Sequence, residues 1–233
     1  MLEAWREISL ERVWLYTKSY RETEGEPVLI RRAKATGKIL AEVNISIREG
    51  EIIADNRTIK PRSGIASPEM DPYWIYEELD TLHSRPQDQF FIREEDKEIY
   101  RRELYPYWAG RSLKDVINAR LSQEVKETQA TEIVKLNQTD KGQVHIIMGY
   151  QELLHDGLGH ILQRVREELG KQADNFFYQA ALITLEATTQ HILRYAKLAK
   201  EMAAREQDEV RCAELLEMSR VCQKVWKHKG LWS

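Results

Sequence analysis

Apolar residues recur at helical spacing over most of this chain, and the exceptions gather in one stretch. Leu10, Val13, Trp14, Thr17 and Tyr20 form a stripe that Ser9 can cap. Gly25-Glu26-Pro27 ends that helix, and Pro27 suits the first turn of the next, which runs to about Val43. Asn44 to Ile47 and Ile52-Ile53 flank Arg48-Glu49-Gly50-Glu51 and read either as a small hairpin or as two short extended pieces. From Glu94 to Leu104 the period is helical again. Arg93 stands where a Ser, Thr or Asp cap is expected, and Pro106 predicts a stop.

Ser112 to Asp115 reads as a capping box opening a helix with Leu113, Val116, Ile117, Leu121 and Val125 inward. Residues 128–144 are polar and irregular. Val144 to Met148 is an apolar run too short to assign by period. The last third is helical throughout. One stripe is Leu154, Leu158, Ile161, Val165 and Leu169, ended by Gly170. The next helix runs from Asn175 to about Ala204, with Phe177, Ala181, Leu185, Ile192, Tyr195 and Ala199 as core candidates. Asp208 then caps a helix from Val210 to Trp226.

Between Glu51 and Phe91 the periodicity fails, except for a short helix near Tyr73 to Leu82. Four of the six prolines (Pro61, Pro68, Pro72, Pro86) fall here. Each fixes its own φ and pushes the residue before it out of the helical region. A segment so irregular must hand its N–H and C=O groups to a specific larger surface. The fold class expected is mainly α, with a few short strands and this proline-rich stretch.

The chain has 233 residues, no internal repeat and no linker-like tract, and reads as one unit. Lys plus Arg total 35 against 38 Asp plus Glu, for a net charge of -3, which offers no field for nucleic acid. The run Arg31, Arg32, Lys34, Lys38 reads as a solvated helix face. No stretch has the apolar length of a membrane span, and the acidic start at Met1 to Glu7 is unlike a signal peptide. Two cysteines exclude a disulfide framework, so a cytoplasmic protein is expected.

Few residues suggest chemistry. His145 sits in an apolar run behind Asp140-Lys141-Gly142-Gln143. It reads as a hydrogen-bonding or proton-handling contact in a cleft, or as a core histidine satisfied by a backbone carbonyl; the residues alone favour the second. His155 and His160 lie about 140° apart around a helix, which excludes a shared metal and leaves them surface or boundary residues. Cys212 and Cys222, ten residues apart, read as lying on different faces. No phosphate loop, nucleophile elbow or zinc spacing occurs, and no metal is expected.

The order of short motifs carries a resemblance. Asp55-Asn56-Arg57-Thr58, Lys60-Pro61-Arg62, Pro68-Glu69-Met70, Glu78-Leu79-Asp80 and Arg85-Pro86-Gln87-Asp88 follow one another. This resembles the front portion of glycyl radical enzymes of the pyruvate formate-lyase and diol-dehydratase type, where the first motif is Gly-Asn-Arg-Thr. The likeness extends from about Glu7 to about Val225. It takes in Thr23 to Pro27, Tyr107-Trp108, Phe177 to Ala181, Leu185-Glu186-Ala187, Arg194-Tyr195-Ala196 and Ala213 to Leu216. It is nearest to the formate acetyltransferase branch, beside the glycerol and hydroxyproline dehydratases.

The resemblance implies the helical N-terminal part of a pyruvate formate-lyase-like α/β barrel fold, with residues 1–226 as that domain segment and 227–233 as a divergent tail. It implies substrate contacts at His145 and Tyr150, since the dehydratases carry a Gly-His followed by an Asp-Tyr there and that histidine faces the substrate hydroxyls. No catalytic residue is expected in this chain, because the family's thiyl cysteine and radical glycine lie on loops of the barrel. The family uses a protein glycyl radical, installed by an activase with an iron–sulfur cluster and S-adenosylmethionine. No cofactor is expected to bind this chain directly.

Departures accompany the likeness. Asp55 replaces a glycine, Arg93 a helix cap, Val144 the glycine before the histidine and Gly149 an aspartate; the family's Thr-Phe-Trp-Glu-Ala helix is replaced by Trp226 to Ser233. The expectation is a truncated or frameshifted product, or one subunit of a split enzyme whose barrel a second chain supplies. A reading from another class stays open: a non-enzymatic helical protein that binds a partner.

Overall fold

The proline-rich stretch finds its backbone partners in strand pairing and in helix ends. The computed structural model describes residues 4–54, 58–133 and 149–225. In chain order the elements are β1 (Glu7–Ser9), α1 (Glu11–Glu22), α2 (Val28–Glu42), β2 (Ser63–Ile65) and α3 (Tyr73–Glu78). A 3₁₀ turn (Leu82–Ser84), α4 (Glu94–Ile99), a π turn (Tyr100–Leu104), α5 (Tyr105–Trp108), α6 (Leu113–Arg120) and α7 (Gln123–Ala130) follow. Long helices complete the described chain: α8 (Tyr150–Lys171), α9 (Phe176–Ala203) and α10 (Glu209–Val225). These residues group into two compact units, one of residues 1–14 and 60–148 and one of 15–59 and 149–233. The chain crosses between units inside α1, inside the proline-rich stretch and after residue 148.

In the first unit β1 pairs with β2 in parallel, Ile8 opposite Gly64, and the Ile8 N–H donates to Phe91 O at 2.8 Å. Gly64 passes so near its neighbours that a Cβ there would lie 3.2 Å from both Ile8 and Phe90. These three-residue strands are too short to leave a period in the sequence. Behind them Leu10, Val13, Ile75, Leu79, Leu82, Tyr100 and Leu104 form a buried cluster. The Tyr100 hydroxyl donates to Pro72 O at 2.9 Å.

Pro106 does not stop the helix that begins at Glu94, contrary to expectation. A regular α-helix would set the proline ring against the carbonyl of Arg102. The π turn inserts an extra residue, with the Tyr105 N–H donating to Tyr100 O, and the helical path continues to Trp108. The start at Arg93 has no side-chain cap, as read; Glu94, Glu95 and Asp96 put three carboxylates on the first turn instead.

Helix α6 begins with the capping box foreseen at Ser112 and Asp115. Its next N–H groups are taken by the proline-rich stretch: Leu113 N–H donates to Glu69 O at 2.9 Å and Lys114 N–H to Met70 O at 3.0 Å. Glu69 is buried and pairs with Arg12 at 2.8 Å. The Tyr73 hydroxyl donates to Asp115 Oδ1 at 2.6 Å and the Lys114 ammonium to Asp71 at 2.9 Å. The inward stripe proposed here fails. The helix breaks at Leu121, a new one starts under a Ser122 cap, and Val116 and Val125 are exposed.

In the second unit α9 packs against α2, α8 and α10. Tyr195, Ala199, Ala203, Leu215 and Ile47 form the buried cluster. Small residues on α9 (Ala196, Ala199, Ala203) let its neighbours approach. Asp208 caps α10, as expected, and α9 starts at the expected place with Asn175 as its cap. Phe177, expected in the core, is 63% exposed. Residues 44–53 form no hairpin; a turn closes at Gly50, and Glu51 N–H donates back to Arg48 O at 3.2 Å.

The run of basic residues on α2 is not simply solvated. Arg31 covers the Tyr20 ring at 4.5 Å and donates to Tyr20 O at 2.7 Å, and Lys38 sits between Glu22 and Glu42. Those partners lie on the preceding helix or one turn further on, where a reading of one face does not look.

Replacing Ser112 with Ala removes the box at a fully buried position. The expected loss is about 1–2 kcal/mol, seen as a lower urea midpoint with unchanged m-value. An unchanged midpoint would mean the cap contributes nothing.

Candidate functional site

The second unit holds a cavity of about 680 Å³ between residues 47–54, α9 and α10. It exists because the chain leaving α2 is pinned over the helices by its carbonyls. Arg194 donates to Leu40 O and Val43 O, each at 2.6 Å, and so takes up free acceptors at the end of α2. Arg211 on α10 donates to Arg48 O at 3.0 Å. Ile47 packs into the core below, while Ile52, Ile53 and Ala54 form one wall. Met218, Val221 and Cys222 of α10 form the opposite one.

His191 of α9 brings a polar group to the cavity lining. Its Nδ1 lies 2.7 Å from Leu40 O, so Nδ1 carries the proton and donates, and Nε2 is left as an acceptor. The ring stands edge-on to Tyr195 at 5.3 Å. Burial lowers the His191 pKa below its ordinary value; the Leu40 bond opposes this and the Arg194 charge adds to it. The imidazole is therefore neutral at pH 7. Burial pushes the Cys222 thiol up, which makes it a poor thiolate. Glu214 and Glu217 at the rim are paired with Arg211 and Arg220. The arrangement suits an apolar body with one hydrogen-bond donor, not nucleophilic chemistry. Among the described residues no cluster of three His, Cys, Asp or Glu is placed to hold a metal.

The residues singled out from the sequence stand elsewhere. His145 and Val144 lie outside the described residues, as do Asp55 and Trp226. Tyr150 opens α8, is 57% exposed and does not line the cavity. His155 is exposed beside Asp156, and His160 is half-buried. Cys212 and Cys222 are not on different faces. Ten residues leave them about 80° apart around a helix, and both pack against the Leu215 cluster. His191, Arg194 and Arg211 were missed as site residues. A histidine three residues before an arginine on a long helix carries no sequence signal for a carbonyl arriving from residue 40.

A family model described as pyruvate formate lyase-like matches residues 2–230. The chain is 34% identical to (2S)-3-sulfopropanediol dehydratase from Klebsiella oxytoca, over 94% of this chain and 28% of that enzyme. It superposes with a TM-score of 0.92 and 32% identity on the glycerol-bound B12-independent glycerol dehydratase from Clostridium butyricum, covering 100% of this chain and 30% of that one. A glycyl radical enzyme from Archaeoglobus fulgidus gives a TM-score of 0.88 at 33% identity, with 97% and 30% covered. The chain thus spans less than a third of the length of these relatives. No helix among the described residues is long and apolar enough to cross a membrane.

The neutral His191 has a consequence for stability. Its folded pKa lies below the unfolded value of about 6.5, so the unfolded chain binds the extra proton first. Its contribution is fully present above that value and is lost as pH falls from there through the lower folded pKa. His191→Asn keeps a donor for Leu40 O without the titration. Urea midpoints between pH 7.5 and 5 are expected to fall less steeply in the variant than in the parent; identical slopes would refute the assignment.

Proposed function

The chain belongs to the pyruvate formate lyase-like family, and from that membership we propose that it is the helical front portion of a glycyl radical lyase acting on a small polyhydroxy compound. The observation that carries this reading is the superposition along the whole chain on a glycerol dehydratase, alongside the identity to a sulfopropanediol dehydratase. Both are named for dehydrating short diols or triols. This favours dehydration over acyl transfer. Residues 1–226 constitute the domain segment in this reading, and 227–233 its divergent tail. His145 and Tyr150 are the substrate-side contacts, with the histidine addressing a substrate hydroxyl.

By the same resemblance, the thiyl cysteine and the radical glycine belong to loops outside the portion matched, and the radical is installed by a separate activase. The 233 residues alone therefore carry no turnover. Cys212 and Cys222 support this, since both are half-buried on α10 rather than on a loop tip. Apolar side chains left open support a larger assembly: Ile53 is 82% exposed, and Ile52, Phe176, Phe177 and Leu154 are also uncovered. The polypeptide carrying the barrel is the partner that would cover them.

Two measurements test this. Anaerobic incubation of the purified chain with a glycyl radical activase, S-adenosylmethionine and a reductant is expected to give no glycyl doublet by electron spin resonance. A doublet would overturn the claim that the chain is incomplete for catalysis. Co-expression with a Clostridium butyricum glycerol dehydratase lacking its matched portion is expected to give glycerol dehydration. His145→Ala should then lower it about 10²-fold or more; undiminished turnover would remove His145 from the site.

A further inference from the structure

Helix α8 is two helical pieces that meet at a kink. At Gly157 φ is 78° and ψ is 165°. That region is essentially closed to residues with a Cβ. Gly157 is also buried, as is Leu158 after it, so the break occurs where the helix meets the rest of its unit. The seven residues before it, Tyr150 to Asp156, form about two turns of helix whose first six residues are exposed.

A second observation fixes the direction of the break. Arg164 Nη1 is bonded to Glu152 Oε1. In a straight α-helix positions twelve apart are separated by about 18 Å along the axis, beyond the distance at which these side chains meet. The two turns before Gly157 are therefore folded back towards the body of α8. The pair is about half exposed, so its own energy is small and salt-sensitive. Gly157 permits so sharp a bend, and the ion pair spans it.

We propose that Gly157, Glu152 and Arg164 are positioning residues that fold this arm back and thereby set where Tyr150 stands, which rests on the reading of Tyr150 as a substrate-side contact. The glycine is the hinge, because an alanine there cannot hold the same φ and ψ. The Glu152–Arg164 pair is the latch. Tyr150 lies two residues before Glu152 on the same arm, so its placement follows the latch directly.

Nitroxide labels at Gln151 and Gln163, both exposed, in a Cys212→Ser, Cys222→Ser background of the full chain read the fold-back by dipolar electron spin resonance. The parent is expected to show a separation well under the roughly 18 Å of a straight helix. Arg164→Glu should lengthen and broaden it, the double change Glu152→Arg with Arg164→Glu should restore it, and Arg164→Lys should preserve it. Gly157→Ala should move it to the straight-helix value; should that variant fail to fold, the latch series still decides. A straight-helix separation in the parent, or one that Arg164→Glu leaves unchanged, overturns the proposal. In the co-expressed enzyme, a failure of Tyr150→Phe to affect glycerol turnover would strike the substrate reading of Tyr150 while leaving these distances as they are.

Discussion

Carbonyl groups at helix ends and turns govern this structure, and side-chain donors from distant parts of the sequence bond to them. Arg194 takes Leu40 O and Val43 O with one guanidinium, Arg211 takes Arg48 O, and the buried Tyr100 hydroxyl takes Pro72 O. A buried polar group left unpaired costs about 1–3 kcal/mol, comparable to the gain from burying a whole apolar side chain. An irregular segment with several such groups can sit against helices only where donors are waiting. Arg194 suits this because its planar fork reaches two acceptors at once, which a lysine ammonium does with less order.

The same accounting holds in the first unit with the roles exchanged. There the carbonyls of Glu69 and Met70 satisfy the opening N–H groups of α6, so the proline-rich stretch and the helix complete each other. The carboxylate of Glu69 is held by Arg12, and Tyr73 and Lys114 tie Asp115 and Asp71 into the same patch. A motif as short as Pro68-Glu69-Met70 thus serves through its backbone as much as through its side chains.

This explains what the sequence could and could not disclose. Helix existence and the caps at Ser112 and Asp208 were legible, because period and cap chemistry are local. Pro106 misled because the clash it implies is local, while the π turn that relieves it draws on the residues before it. The solvated reading of Arg31 and Lys38 failed because their partners are Tyr20, Glu22 and Glu42. Phe177, Val116 and Val125 misled for another reason: an apolar stripe announces that a face is to be covered, not that this chain covers it. Of the candidate site, His145 stood out from its surroundings but took a substrate role only through resemblance, Tyr150 came through resemblance alone, and His191 came through neither route.

The cavity beside His191 and the arm that ends in Tyr150 follow different logic. At His191 the proton is locked on Nδ1 by a carbonyl bond and burial keeps the ring neutral, so the group is fixed in state as well as in place. A residue so constrained is suited to holding the end of α2, and its Nε2 offers the cavity an acceptor. Tyr150 is the reverse, an exposed side chain on two turns of helix whose direction hangs on a buried glycine and a half-exposed ion pair. Stability tolerates little change at the first. Geometry is adjustable at the second at small energetic cost, because the pair that spans the bend is half exposed and can be exchanged without rebuilding the helices.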